Sequence, residues 1–252
     1  MAKIITFINE KGGVGKTSIC FNTAWELSNQ GRKILMIDID GQNANLTFFT
    51  GIDRTGEIKT LIDVLKNGAS LKESVTPVKE NLDILPANTA VASIGMDAKV
   101  SRFRSELKTI KNVYDYIFID VNPSPGWGHY LSLSVSDYAV VVMLPDIASL
   151  EGNSGILESI MDIQETNNTR LQIAGILFNR NSDRTNLGRQ VQEIAEQMAQ
   201  NAETKVFENK IPQAISLSEC VAVHQGVTDY DSGSKAAEAI REFAKELERE
   251  IS

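Results

Sequence analysis

A chain of 252 residues, 42% hydrophobic and 23% charged, has the make-up of a globular protein with a sizeable core. Its net charge of −8 argues against a dedicated nucleic-acid-binding domain, which is more often basic, while leaving room for a local basic patch. No apolar run approaches the ~20 residues of a membrane-spanning helix. The amino terminus lacks a secretory pattern, and Cys20 and Cys220 lack metal-ligand or CxxC spacing, so a cytoplasmic location is expected.

In chain order, residues 3–9 (KIITFIN) form a short apolar run that predicts a buried strand. A glycine-rich loop follows, then a helical stretch over residues 16–30 closed by Gly31. KILMID, from Lys33, predicts a second strand ending at Asp38. LDILPA, YDYIFIDV, YAVVVMLP and QIAGILFN have the same character, and AKVSRFRSELKTIKN, SLEGNSGILESIMDIQET and RTNLGRQVQEIAEQMAQN predict helices between them. Strands apolar on both faces, alternating with helices, predict a doubly wound, mostly parallel α/β sheet, read as one domain over residues 1–252. Ligands bind such sheets at the carboxyl ends of the strands. The loops beginning near Asn9, Asp38, Asp120, Pro145 and Asn179 should therefore gather on one edge.

The loop NEKGGVGKTS sits between a strand and a helix, the context a phosphate-binding loop requires. Gly15, Lys16 and Thr17 fit the end of the common pattern, but Glu10 holds its first glycine position and a second lysine, Lys11, follows. The nucleotide-binding stretch is read as Lys11, Gly12, Gly13, Val14, Gly15, Lys16, Thr17 and Ser18. Its glycines let the backbone curl with N–H groups inward, and the helix adds its positive end. Lys16 should reach the β- and γ-phosphates of a nucleotide, and the Thr17 hydroxyl should bind Mg²⁺. Asp120 ends its strand as a Walker B aspartate does. Asp38 and Asp40 share one side of theirs, so either could face the nucleotide. FNRNSD places Ser182 where a guanine reader carries aspartate, which favours adenine.

Taken together, KGGVGKT, MIDIDGQNANLT, YDYIFIDVNPSPG, PDIASLEG, DRTNLGRQV and IPQAISLSECVAVHQGVTDYDSGSKAAEAI resemble, in order and over nearly the whole chain, the ParA group of the deviant Walker A ATPases of ParA/MinD type. The resemblance implies a cytoplasmic Mg²⁺-ATPase that forms a homodimer face to face around two ATP molecules. Lys11 then matches the signature lysine that reaches into the partner's phosphate site. Asp40 matches the carboxylate that positions attacking water, and Asp120 the carboxylate acting on Mg²⁺ through water. The implied catalytic set is Lys11, Lys16 and Asp40, and the metal set Thr17, Asp40 and Asp120. Asn179 and the loop at Ile211 and Pro212 would lie near the base.

The resemblance further implies a role in plasmid or chromosome partition. The ATP dimer would bind DNA non-specifically on the nucleoid, and a ParB-like partner would stimulate hydrolysis. Candidate DNA contacts are Arg180, Arg184, Arg189, Lys205 and Lys210. The same stretch carries Asp183, Glu193, Glu196, Glu203 and Glu208, so a mixed, solvated surface is the competing reading. Several features depart from the family pattern: Gln213 in place of a frequent arginine, Gly41 in place of a proline, Asn122 in place of a proline, and the unusual segment at residues 127–129. No helix-turn-helix precedes the loop, as in short ParA forms.

A MinD-like membrane ATPase would end in a basic amphipathic helix. Here the tail has Ile240, Phe243, Leu247 and Ile251 on one side and Glu238, Glu242, Glu246, Glu248 and Glu250 on the polar side, unsuited to an anionic membrane, so packing on the chain's own core is expected. A tyrosine-kinase relative would carry a tyrosine cluster, and an iron–sulfur relative cluster-binding cysteines. The remaining alternative is an ATPase that positions a protein complex. His129 and His224 have no metal-ligand spacing and are expected at surface or turn positions.

Overall fold

The computed structural model describes residues 1–40, 44–53, 58–93, 100–181 and 186–252. The elements are β1 (Lys3–Ile8), α1 (Lys16–Asn29), β2 (Ile34–Asp38), α2 (Asn45–Phe49), α3 (Leu61–Leu65), α4 (Leu71–Ser74), β3 (Thr76–Lys79) and β4 (Leu82–Leu85). They continue with α5 (Val100–Ile110), β5 (Tyr116–Asp120), α6 (Trp127–Val135), β6 (Tyr138–Met143), α7 (Ile147–Thr166), β7 (Gln172–Phe178), α8 (Asn186–Asn201), α9 (Ser216–Ala222), α10 (Val227–Tyr230) and α11 (Lys235–Glu250).

The seven strands form one sheet in the order β3-β4-β2-β5-β1-β6-β7. Every pairing is parallel except β3 with β4. The predicted doubly wound sheet is therefore present, with an antiparallel edge strand that the apolar pattern did not reveal. β3 reads TPVK and is half-exposed, and its Pro77 suits an edge that needs no further backbone donor.

Alternation along the strands divides the core into two layers. On β1, Ile4 and Ile8 join the layer covered by α3, α5, α6, α7 and α8, while Ile5 and Phe7 join the layer covered by α1 and α11. Ile117 and Ile119 likewise face opposite to Phe118 on β5. Burial on both faces is why these strands read as unbroken apolar runs.

The tail packs as expected: Ile240, Phe243, Leu247 and Ile251 are buried in the same layer as α1. Glu246, assigned to the polar side, is instead buried. Its carboxylate accepts the Glu208 N–H at 2.8 Å, the Asn209 N–H at 3.0 Å and the Asn209 Nδ2 at 2.7 Å. Cys20 and Cys220 are free and buried. Among the described residues, no helix is long and apolar enough to cross a membrane.

Candidate nucleotide site

β1 is flanked by β5 and β6, so the loops leaving all three strands meet at one edge. Asn9 fixes the start of the glycine-rich loop. Its Nδ2 donates to the Val142 carbonyl at 2.7 Å, and its Oδ1 accepts the Lys11 N–H at 2.8 Å. The loop then turns through Gly13 and Gly15, whose φ of 74° and 96° lie in the left-handed region. Gly15 is required a second time, because a Cβ there would collide with the Asn179 amide. That amide donates to the Val14 carbonyl at 2.7 Å and braces the loop from the β7 side. α1 begins directly at Lys16 with no side-chain cap, so its first N–H groups stay available to an anion.

A cavity of about 860 Å³ opens over this loop. Gly12, Gly13, Gly15, Lys16, Thr17, Ser18, Asp40, Asn179 and Pro212 all line it, so most of the nucleotide-binding residues expected from the sequence converge there. Val14 is buried beneath the loop. Sequence reasoning missed Asn45, Phe49, Val121, Pro123, Ala214, Ile215, Leu217 and Val221, which also line the cavity. The i, i+4 apolar pair Leu217 and Val221 on α9 was the one readable signal, and Ile215, 77% exposed at the start of that helix, adds an open apolar surface suited to a flat ring.

Three carboxylates sit under the cavity. Asp38 and Asp120 face each other in register at the ends of β2 and β5, and both are fully buried. Asp38 accepts from the Thr47 N–H and hydroxyl and from the Asp40 N–H, yet burial pushes it up to about 6. Neither oxygen of Asp120 has a hydrogen-bond partner of ordinary geometry, although the Thr17 hydroxyl lies close enough to favour the charged form. Burial and then the neighbouring Asp38 charge raise it well above the ordinary carboxylate range, with Thr17 and Lys16 pulling the other way. Asp40 lies near the surface of the cavity, 3.5 Å from the Asn45 Nδ2. Gly41 lies outside the described residues.

The two lysines of the loop occupy different places. Lys16 is buried, its Nζ 3.3 Å from the Lys11 carbonyl. Burial lowers its pKa, against the opposing pull of Asp120 and Asp40. Lys11 does not line the cavity. Its Nζ bonds the Asp146 carboxylate at 2.9 and 3.1 Å and the Ser149 hydroxyl at 3.1 Å, at the start of α7. Burial opposes the charge on Asp146, but Lys11 and the Ser149 N–H outweigh it and hold the carboxyl below its ordinary value.

An orphaned buried carboxylate beside a threonine hydroxyl fits a hydrated divalent cation. Among the described residues no group of three or more His, Cys, Asp or Glu could hold a metal alone, so the remaining ligands would be phosphate oxygens and water.

The residues proposed to contact DNA are in part engaged with other groups of the chain. Arg180 lines the nucleotide cavity. Lys205 pairs with Glu246 and Glu250 of α11, and Lys210 donates to the Gln192 amide oxygen. Arg189 is exposed on α8, and Ser182, Asp183 and Arg184 lie outside the described residues. Of the histidines, His224 is exposed as expected, while His129 is buried within α6 and bonds the Asn122 carbonyl.

Residues 2–173 match the AAA domain family AAA_31. The chain is 34% identical to the sporulation initiation inhibitor protein Soj of Bacillus subtilis, over 98% of each chain. It is 30% identical to the chromosome partitioning protein ParA of Myxococcus xanthus, over 98% of this chain and 88% of that one. Its fold matches the septum site-determining protein MinD of Pyrococcus horikoshii, solved with Mg-ADP, with a TM-score of 0.82 and 26% identity over 100% of this chain and 98% of that one.

Proposed function

We propose that this chain, which belongs to the ParA/MinD-type P-loop ATPases, works as an ATP-driven dimerisation switch in plasmid or chromosome partition. It hydrolyses ATP to ADP and phosphate. In our reading residues 1–252 act as one unit in the cytoplasm, and the ATP-bound homodimer holds nucleoid DNA non-specifically until a ParB-like partner stimulates hydrolysis. The observation that carries the reading is the division between the two lysines: Lys16 is buried in its own cradle, whereas Lys11 stands outside that cavity, held by Asp146.

Residues 11–18 would bind the phosphates, Asn179 and Pro212 the adenine. The Thr17 hydroxyl would ligate Mg²⁺, and Asp120, orphaned and buried, would hold water on that ion. Bound there, the ion would neutralise charge developing on the transferred phosphoryl group. Asp40 would orient attacking water and, with it, the metal's solvent shell. Lys11 would leave Asp146 and enter the partner's phosphate site, in the manner of an arginine finger, a contribution of ~10³–10⁵ in rate.

Substitution of each lysine tests this. Lys11→Ala should abolish partner-stimulated hydrolysis while keeping substantial nucleotide binding, whereas Lys16→Ala should damage binding itself. Equal loss of nucleotide affinity in both would refute the trans role. Asp40→Ala should trap an ATP-bound dimer on size-exclusion chromatography.

A second reading, an ATPase that positions a protein complex, is favoured by the pairing of Lys205 with two glutamates. DNA retention on a filter, with ATP, ADP or a non-hydrolysed analogue at low and high salt, separates the two. Absence of ATP-specific retention even at low salt selects the second.

A further inference from the structure

The first turn of α6 touches loops from two strands of the nucleotide edge and, through one of them, the phosphate loop. Gly128 is buried, and a Cβ there would stand 3.2 Å from Ile39 Cγ2 and 3.3 Å from Asn122 Oδ1. The helix thus rests directly on the residue before Asp40 and on the segment after Asp120. One residue on, His129 is 5% exposed, and its Nε2 lies 2.8 Å from the Asn122 carbonyl oxygen. A carbonyl only accepts, so Nε2 carries the proton. Burial lowers the pKa of this imidazole, in keeping with a neutral ring. Beyond Asn122, Pro123 approaches Gly12 of the phosphate loop, at 3.8 Å from where a Cβ would stand.

Beside the buried Val121, the hydrogen bond that ties this segment to α6 comes from the histidine. The Asn122 amide oxygen is buried without a hydrogen-bond partner, so it does not pin the segment. Among the described residues no backbone N–H donates to the Asn122 carbonyl.

We propose that His129 is a positioning residue for ATP hydrolysis: through the Asn122 carbonyl it holds residues 121–123 against the phosphate loop and fixes the end of β5 that carries Asp120. The inference rests on the ATPase reading of the site. A displacement of about 1 Å at such a site can cost on the order of 100-fold in rate without a direct contact to substrate.

The test compares His129→Leu, which keeps bulk and removes the donor, with His129→Gln, which returns an amide N–H. Steady-state hydrolysis with Mg²⁺ should show His129→Leu losing about tenfold or more in kcat, with KM for ATP unchanged within about twofold, and His129→Gln recovering most of the loss. Trp127 supplies a readout independent of turnover. Its fluorescence change on adding Mg²⁺ and a non-hydrolysed ATP analogue, with Trp127→Phe as the blank, should disappear in His129→Leu and return in His129→Gln. A wild-type kcat in His129→Leu, a loss confined to KM, or equal loss in both variants overturns the proposal. Should His129→Leu fail to fold, Gly128→Ala, whose Cβ crowds Ile39 Cγ2 and Asn122 Oδ1 by a few tenths of an ångström, must show the same kcat-only loss, and wild-type kcat there overturns it. If the wild-type chain turns over no ATP, the ATPase reading fails, and the fluorescence comparison alone decides the role of His129.

Discussion

Two buried carboxylates at different places in the molecule invite comparison: Asp120 at the nucleotide edge and Glu246 in the seam between α11 and the chain at residues 208–209. Both are less than 5% exposed. Glu246 accepts three hydrogen bonds and lies 4.0 Å from Lys205, whereas Asp120 has no hydrogen-bond partner on either oxygen. Burial alone therefore does not mark a site. A saturated buried acid closes a turn, and an unsaturated one is held ready for something that arrives later.

The strongest way to break this comparison is Asp120→Asn. If Asp120 holds water on Mg²⁺ as proposed, hydrolysis should fall by about 100-fold or more. Melting of the nucleotide-free protein should stay level or rise, since a carboxyl whose charged form burial disfavours gives way to a neutral amide. A large drop in melting temperature would move Asp120 into the same class as Glu246.

Glu246→Ala should do the reverse. It strands two backbone N–H groups, which costs roughly 2–3 kcal/mol, or about 4–12 °C in a domain of this size. The KM for ATP should not change, and a shift in KM without a shift in melting would defeat the contrast.

Asp38 lies between the two, well bonded yet raised to about 6 from 3.8. Between those values the folded state keeps a proton that the unfolded chain releases. Nucleotide-free stability should therefore fall as pH rises through this window, by ~3 kcal/mol at most. With metal chelated, Asp38→Asn should gain relative to wild type between pH 4 and 7, and parallel pH profiles would contradict this.

The smallest effect belongs to Asp146→Ala. The pair with Lys11 is partly exposed, at 30% and 41%, and such pairs contribute under ~1 kcal/mol. Melting should barely move, but freeing Lys11 should let the dimer form at lower ATP on size-exclusion chromatography. A need for more ATP would show that Asp146 assists Lys11 and does not retain it.

What could be read in advance follows the same physics. Parallel strands buried on both faces announce themselves as apolar runs, and loops at their ends were placed correctly from topology alone. β3 escaped because a half-exposed TPVK carries no such run. Glu246 was misplaced by residue type, although it lies three residues after Phe243 and next to Leu247, within the buried stripe of α11. His129 was illegible because its partner is a backbone carbonyl, and carbonyls are alike at every position of a sequence. The contact of Lys11 with Asp146 spans 135 residues and exists because β1 and β6 are neighbours.

Asn179 gives the site one further property. Its Nδ2 braces the Val14 carbonyl, and its Oδ1 accepts the Arg180 N–H at 2.9 Å. One remaining amide hydrogen is left for a base entering beside Pro212. If Asn179 reads the base as proposed, nucleobase choice and phosphate grip would share a single side chain and could not be tuned separately. On that reading, a replacement that altered which base is read would also loosen the loop that Asn179 braces at the Val14 carbonyl.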